Sequence, residues 1–388
     1  MSPRRAERAI DTAPGVTDWR DRPLAELLGA FGLAGVAEEP LATDGWSGAT
    51  FTTIERDGRR YVLKRASPAY DWIVRATHDT VIREAWLADR GVRDEPWLRP
   101  SVGRLAVPFL GAAADADGAA VVLMPDLASE LSAWERVRGG TVLTAAAADL
   151  LIDRIAGLHA LPWSDVLEAR AVRDGGADPP WCPLPERLTL LTPRSAAAYA
   201  AEGNPVGERF LAGWDGFERH APRAVRDVLA RLADDPEPLI RALAPLPAVG
   251  LHGDLKLANV ARRDDGTITF IDWQMTLRAP VAVELGWSIV TNSAELPYPP
   301  DVVLARYLVA LRSHADRWQF GAARRDLDAL TGDWAVQVDL ALVVGLLLRG
   351  WRKGLDTVAG TTLGSGIGAG EDLAWWSARV VEAADRRL

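Results

Sequence analysis

Asp254, Asn259 and Asp272 stand five and then thirteen residues apart in the run HGDLKLANV…ITFIDWQ, and their types suit the handling of a phosphoryl group. Phosphoryl transfer asks little covalent chemistry of a protein and a great deal of positioning and charge neutralisation. A carboxylate such as Asp254 accepts or orients the proton of an attacking hydroxyl. Asn259 and Asp272 offer the hard oxygen ligands that Mg²⁺ takes when it bridges nucleotide phosphates. An aspartate alone in a loop is most often a turn or cap residue. Here the combination carries the reading: His-Gly-Asp, the asparagine, a hairpin, then an apolar strand TITFI that delivers Asp272 from a rigid element.

Groups of this kind need supports. The strand before Asp272 folds back at Asp265-Gly266, a dipeptide that supplies the positive φ of a tight turn. Upstream, FTTIERDGRRYVLKRA reads as two strands around Asp57-Gly58, with Lys64 on the second. The segment ATDGWSGATFTTI before it holds Gly45, Ser47 and Gly48, where glycines let backbone approach a phosphate with no Cβ in the way. HDTVIREAWLADRGV has helical spacing, carries Glu84 and ends at Gly91, a C-cap residue. LAVPFLGAAADADGAAVVLMPDL predicts two more strands, the second passing through Met124. Beyond Leu127 helical patterns dominate, among them VLTAAAADLLIDRIAGLHAL, with the Pro/Gly-rich DGGADPPWCPLP as a surface loop.

The run HGDLKLANV…IDWQ resembles the catalytic loop and metal-binding turn of the aminoglycoside phosphotransferase and choline kinase superfamily. These are relatives of protein kinases in which His-Gly-Asp or His-Asn-Asp replaces His-Arg-Asp. The resemblance implies Asp254 as catalytic base, Asn259 and Asp272 as Mg²⁺ ligands, and His252 as a structural member of the catalytic loop. Lys256 resembles the protein-kinase lysine, two residues after the base, that contacts the transferred group. Gly45, Ser47 and Gly48 match the nucleotide-positioning loop, Lys64 the lysine on the α- and β-phosphates, and Glu84 its paired carboxylate. Met124 falls on the hinge strand, whose backbone would meet adenine. The implied fold is α+β and bilobal, protein-kinase-like, with a small antiparallel N-lobe sheet and a larger, mainly helical C-lobe. The implied reaction moves the γ-phosphate of ATP or GTP to a hydroxyl of an antibiotic, sugar or amino-alcohol. Two departures stand out: VAVELGWSI, with Glu284, replaces the usual Asp-Leu-Ala, and Gln274 takes the place of a frequent glutamate. Two further readings share the fold: a nucleotide-binding regulatory pseudokinase, and a protein kinase or nucleotidyl transferase. Glu284 and an apolar helix arrive about a dozen residues after Asp272, which leaves little room for a peptide dock.

Length and composition agree with two lobes. At 388 residues the chain exceeds one comfortable core, with 48% hydrophobic and 25% charged residues. The expected division is a flexible segment 1–22, a nucleotide-binding lobe 23–127 and a catalytic, substrate-binding lobe 128–388. A net charge of −9 with no long basic run speaks against nucleic acid as a partner. The single cysteine, Cys182, rules out an internal disulfide. The longest apolar run, Leu340–Leu348, is short of the roughly 20 residues a span requires. It reads as a buried helix segment; with no signal-like start, no membrane partner and a cytoplasmic location are expected. The glycine run GSGIGAG at 364–370 lacks the strand and βαβ context of a dinucleotide fingerprint and reads as a flexible loop. Among sixteen tryptophans, Trp351, Trp375 and Trp376 are candidates for a pocket wall.

Overall fold

A computed structural model of the chain describes residues 18–43, 46–89, 105–131, 134, 140–173, 178–317 and 327–388. Gly45, Gly91, residues 1–17 and the segment 174–177 of the predicted Pro/Gly-rich loop lie outside the described residues.

The first half of the chain builds a five-stranded antiparallel sheet. Its strands are β1 (Glu39–Pro40), β2 (Thr50–Arg56), β3 (Arg59–Ala66), β5 (Gly111–Ala114) and β6 (Ala120–Pro125), ordered β1-β2-β3-β6-β5. The hairpin β2–β3 turns at Asp57-Gly58, where both residues have positive φ, 53° and 71°. Period-two alternation sorts the side chains between the two faces. Leu63, Val121 and Leu123 point into a small core closed by Leu27 and Leu28 of the helix Leu24–Ala30. Lys64 and its cross-strand partner Val122 take the opposite face, together with Met124, where the helix Arg83–Asp89 packs.

That helix is shorter than its periodicity predicts. A separate helix, Trp72–Ala76, precedes it, and His78 and Ile82 adopt positive φ of 50° and 53°. Asp79 explains the late start: its carboxylate accepts the Arg83 N–H at 2.8 Å and caps the first turn. Residues 18–22, expected in a flexible segment, include a 3₁₀ turn over Trp19–Asp21, with Trp19 buried.

The second half is helical around the helix Trp334–Val358. It packs against Val281–Thr291, Pro205–His220 and Ala369–Arg387. The nine-residue apolar run is the middle of this 25-residue helix, which by length and composition alone would suffice to cross a membrane. It is instead largely buried inside the lobe, with Gln337, Asp339, Arg349, Lys353 and Asp356 along it. The glycine run behind it is tied down: Leu363 donates to the Ile367 carbonyl at 2.9 Å and Gly364 to that of Ser293 at 3.0 Å.

Small strands set the floor of the cleft between the lobes. β8 (Val260–Arg262) and β9 (Ile268–Phe270) form the predicted hairpin, and β7 (Val249–Leu251) pairs with β10 (Leu277–Ala279). A pairing with no sequence signal joins β4 (Leu105–Ala106), from the first half, in parallel to β9. The fold is thus bilobal and protein-kinase-like, with an antiparallel sheet lobe and a helical lobe.

Candidate active site

The loop from β7 to β8 carries His252, Asp254, Lys256 and Asn259, and backbone geometry fixes its shape. Gly253 has φ +86°, and a Cβ there would sit 2.0 Å from the Met275 carbonyl oxygen, so only glycine passes. Glu284, 1% exposed, anchors the loop by accepting the backbone N–H groups of His252 at 3.1 Å and Gly253. A second oxygen contact, from His159 Nε2 at 2.8 Å, holds the carboxylate, and Tyr307 reaches His159 Nδ1 at 2.7 Å. Burial alone would raise the Glu284 carboxyl, but His159 and the donors around it hold it below its ordinary range. Glu284 therefore anchors the loop from the helix Val281–Thr291. Asn292 adds a tie, accepting the Leu257 N–H at 2.7 Å.

His252 faces inward. Its Nε2 lies 2.9 Å from the Ile271 carbonyl, and its Nδ1 accepts the Asp254 N–H at 3.3 Å. Burial pushes the ring's pKa down, which favours the neutral tautomer that these two bonds require. With both nitrogens occupied, His252 ties the loop to the strand before Asp272.

Asp254 has one oxygen engaged and one spare. Its Oδ2 accepts from Lys256 Nζ at 2.9 Å and from Asn259 Nδ2 at 3.1 Å. Its Oδ1 is buried and has no partner among the described residues. Asn259 Nδ2 also donates to the Asp254 carbonyl at 3.0 Å, so both amide hydrogens are spent and the amide oxygen remains for a ligand. Burial opposes the Lys256 charge, yet Asp254 and Asp272 hold its ammonium above the ordinary value.

Asp272 follows β9 in the left-handed region, φ +68° and ψ +62°, a strained setting for a non-glycine residue that aims its carboxylate at the cleft. Lys64 Nζ lies 2.5 Å from Asp272 Oδ1 and 2.6 Å from Glu84 Oε2. The other Glu84 oxygen accepts the Trp273 N–H at 3.1 Å. Lys64 and Glu84 are buried, while the Asp272 side chain is 24% exposed. Burial would discharge Lys64, but two adjacent carboxylates outweigh it and hold the ammonium well above its usual range. Asp272 is held well below the carboxylate range because Lys64 and Lys256 overcome its own desolvation. Arg83 staples the same turn, donating to the Gln274 carbonyl at 3.0 Å. The Gln274 side chain is itself buried.

The donor set suits Mg²⁺ in one particular way. Asn259 and Asp272 provide two oxygens, and no group of three or more His, Cys, Asp or Glu side chains gathers among the described residues. Mg²⁺ bound through one or two protein ligands completes its shell with water and substrate phosphates. The residues fit a cation that arrives with a nucleotide.

In the loop between β1 and β2, Ser47 is buried, accepts the Trp72 N–H on its carbonyl at 2.8 Å and takes the Ala49 N–H on its hydroxyl at 3.2 Å. Gly48 is required for a reason other than phosphate approach: with φ +93°, its Cβ would lie 2.2 Å from the Tyr70 carbonyl oxygen. Met124 is buried on β6, on the cleft side of the sheet.

Sequence reasoning missed Arg187 and Arg349, both buried beside this loop. Arg187 Nη2 donates to the Gly253 carbonyl at 2.8 Å, and both guanidinium groups lie over Trp287, at 4.3 and 4.6 Å from its ring centroid. Neither stands in a motif, so no local signal marked them. Asp215 and Glu218, acidic residues of the helix Pro205–His220, are exposed and paired with Arg219 and Arg226, whereas Glu284 is enclosed. Of the candidate wall residues, Trp351 is buried 6.3 Å from Trp46, and Trp376 is core.

The model of the phosphotransferase enzyme family matches residues 39–327. No curated protein matches the chain. Among solved structures, the macrolide 2'-phosphotransferase of Brachybacterium faecium is similar at 18% identity and TM-score 0.39, covering 92% of this chain and 97% of its own. The ethanolamine kinase of Plasmodium vivax is similar at 12% identity and TM-score 0.44, covering 92% and 86%. An aminoglycoside phosphotransferase from Alicyclobacillus acidocaldarius is similar at 12% identity and TM-score 0.36, covering 90% and 92%.

Proposed function

The chain belongs to the phosphotransferase enzyme family, and we propose that it is a small-molecule kinase using ATP or GTP with Mg²⁺. The observation that carries this reading is the meeting of Lys64, Glu84 and Asp272, drawn from a strand, a helix and a turn far apart in sequence, beside Asp254 and Asn259. In the proposed step the acceptor hydroxyl oxygen bonds to the γ-phosphorus and the bond to the β,γ-bridging oxygen breaks, leaving a nucleoside diphosphate. Asp254 Oδ1, the unpartnered oxygen, takes or orients the hydroxyl proton. Lys256 and Asn259 hold the opposite oxygen and so fix the carboxylate plane. Lys64, kept in place by Glu84, turns its ammonium to the α- and β-phosphates. Asn259 and Asp272 would hold Mg²⁺, which neutralises charge on the phosphates when bound.

The buried anchor at Glu284, twelve residues after Asp272, supports a small acceptor, because the intervening turn and β10 are packed as core. The similar structures named above are a macrolide 2'-phosphotransferase, an ethanolamine kinase and an aminoglycoside phosphotransferase, and antibiotics, sugars and amino-alcohols make up the first panel.

The test is release of nucleoside diphosphate from ATP or GTP with magnesium across that panel, with Asp254→Asn as control. Acceptor-dependent release that the variant loses is the expected result. A protein that fails to bind Mg-nucleotide would sink the reading.

A further inference from the structure

A continuous strip of rings and guanidinium groups crosses from the sheet lobe to the catalytic loop. Trp46, in the loop before β2, lies 6.1 Å from Phe210 and 6.3 Å from Trp351, which are 4.7 Å from each other. Arg349 sits 4.6 Å from the Trp351 centroid and 4.6 Å from that of Trp287. Arg187 continues the strip from Trp287 to the Gly253 carbonyl, the peptide just before Asp254.

Charge along this strip is unbalanced. Arg187 is 1% exposed and Arg349 8%. Among the described residues neither has a carboxylate in ion-pair range, and the Arg349 side chain makes no hydrogen bond at all. Arg187 Nε and Nη1 and Arg349 Nε are buried and unpartnered. Other buried cations are matched: Lys64 by Glu84 and Asp272, Arg83 by Asp79, Lys353 by Asp372. The carboxylates that act on the strip from longer range each have another partner: Asp254 faces Lys256, Glu284 faces His159 and Asp356 faces Arg352. Burial, followed by the neighbouring Arg352, accordingly pulls Arg349 down to about 9. Ring faces offset part of such a cost, but an uncompensated buried guanidinium remains strongly disfavoured.

We propose that this strip is the acceptor subsite and that the acceptor bears an oxyanion, a carboxylate or a phosphate, held by Arg187 and Arg349 while its hydroxyl faces Asp254. The inference rests on the kinase reading and narrows its substrate class. Planar guanidiniums match such oxyanions with paired hydrogen bonds. A polycationic acceptor would meet like charge where it needs carboxylates.

The experiment is calorimetric titration of the full chain, first with magnesium and a non-hydrolysable ATP analogue, then with two matched probe series. One series is glycerol, glycerate, glycerol 3-phosphate and 2-amino-1,3-propanediol; the other is glucose, glucuronate, glucose 6-phosphate and glucosamine. At least one anionic member is expected to bind tenfold or more tightly than its neutral and amine counterparts. Whether the carboxylate or the phosphate member leads identifies the group. Arg349→Met should erase that preference, Arg349→Lys should keep part of it, and both should load nucleotide as the parent does. An amine member binding best, anions binding no better than neutral probes, or a preference untouched in Arg349→Met would each overturn the inference while leaving the kinase reading intact. Failure in the first titration would instead strike the kinase reading itself.

Discussion

Two buried clusters of charge flank Asp254, and they are built on opposite plans. Around Lys64, one ammonium meets two carboxylates at 2.5 and 2.6 Å. Around Trp287, two guanidiniums share one ring and, among the described residues, have no carboxylate in ion-pair range. The first cluster is complete within the protein: desolvation of Lys64 is offset by partners on a neighbouring helix and turn. It ties the lobes together, since Lys64 and Glu84 come from the sheet lobe and Asp272 from the other. The second leaves its charge unanswered, so the protein tolerates a cost there that a ligand's charge would remove. A completed ion cluster speaks of machinery common to every turnover; an incomplete one speaks of what the protein selects.

The sharpest break comes at the junction of the two clusters. Asp254→Asn should reduce transfer by about 10²–10⁴-fold, the usual worth of a positioned general base, with Mg-nucleotide affinity kept. Steady-state nucleotide turnover alongside calorimetric binding reads both. Wild-type turnover would remove Asp254 from the mechanism. Next in size, Glu84→Gln strips one carboxylate from the balanced cluster and should cost about 3 kcal/mol of stability, because breaking one side of a buried pair strands its partner. Urea unfolding measures it, and an unchanged midpoint would mean that Lys64 does not depend on Glu84. Arg349→Met should go the other way: removing an unpaired buried charge should leave ligand-free stability unchanged or raise it by about 1 kcal/mol. A clear loss in the same unfolding assay would show that the guanidinium is satisfied without a ligand, and the contrast between clusters would collapse.

The smallest expected effect is on acid stability of the loop between them. Folding lowers the pKa of His252 by burial, so the native state binds fewer protons than the unfolded one below the ordinary value of 6.5. Stability is therefore fully present above that pH and declines as pH falls through the folded pKa. Glu284, also lowered, adds a second decline below its ordinary 4.5. Urea midpoints measured from pH 7.5 down to 4 should fall, and Glu284→Gln should flatten the lower part. A midpoint that rose towards acid would contradict both directions.

Much of the first cluster was legible in the chain. Asp57-Gly58 and Asp265-Gly266 announce their hairpins, because a positive-φ dipeptide between alternating residues has few alternatives. Lys64 and Asp272 follow from strand positions next to those turns. The helix bearing Glu84 was read too long, since periodicity cannot see Asp79 delaying the first turn by a side-chain cap. The nine-residue apolar run marks the buried middle of a helix but not its 25-residue length, because the polar residues Gln337, Asp339, Lys353 and Asp356 find burial only in the packed lobe. The need for glycine at position 48 has a cause that no local pattern shows, the Tyr70 carbonyl twenty-two residues away.

Local order therefore determined the hairpins, the loop HGDLKLAN and the family of chemistry, because turns, strand alternation and short motif spacing act over a few residues. Only the tertiary structure decided what surrounds Asp254. Arg187 reaches Gly253 across 66 positions, Glu284 reaches His252 across 32, and Arg349 joins them from the far end of the lobe. Charge balance is a property of space and not of sequence: whether a buried arginine is answered depends on every element that packs around it, and no stretch of chain records that sum.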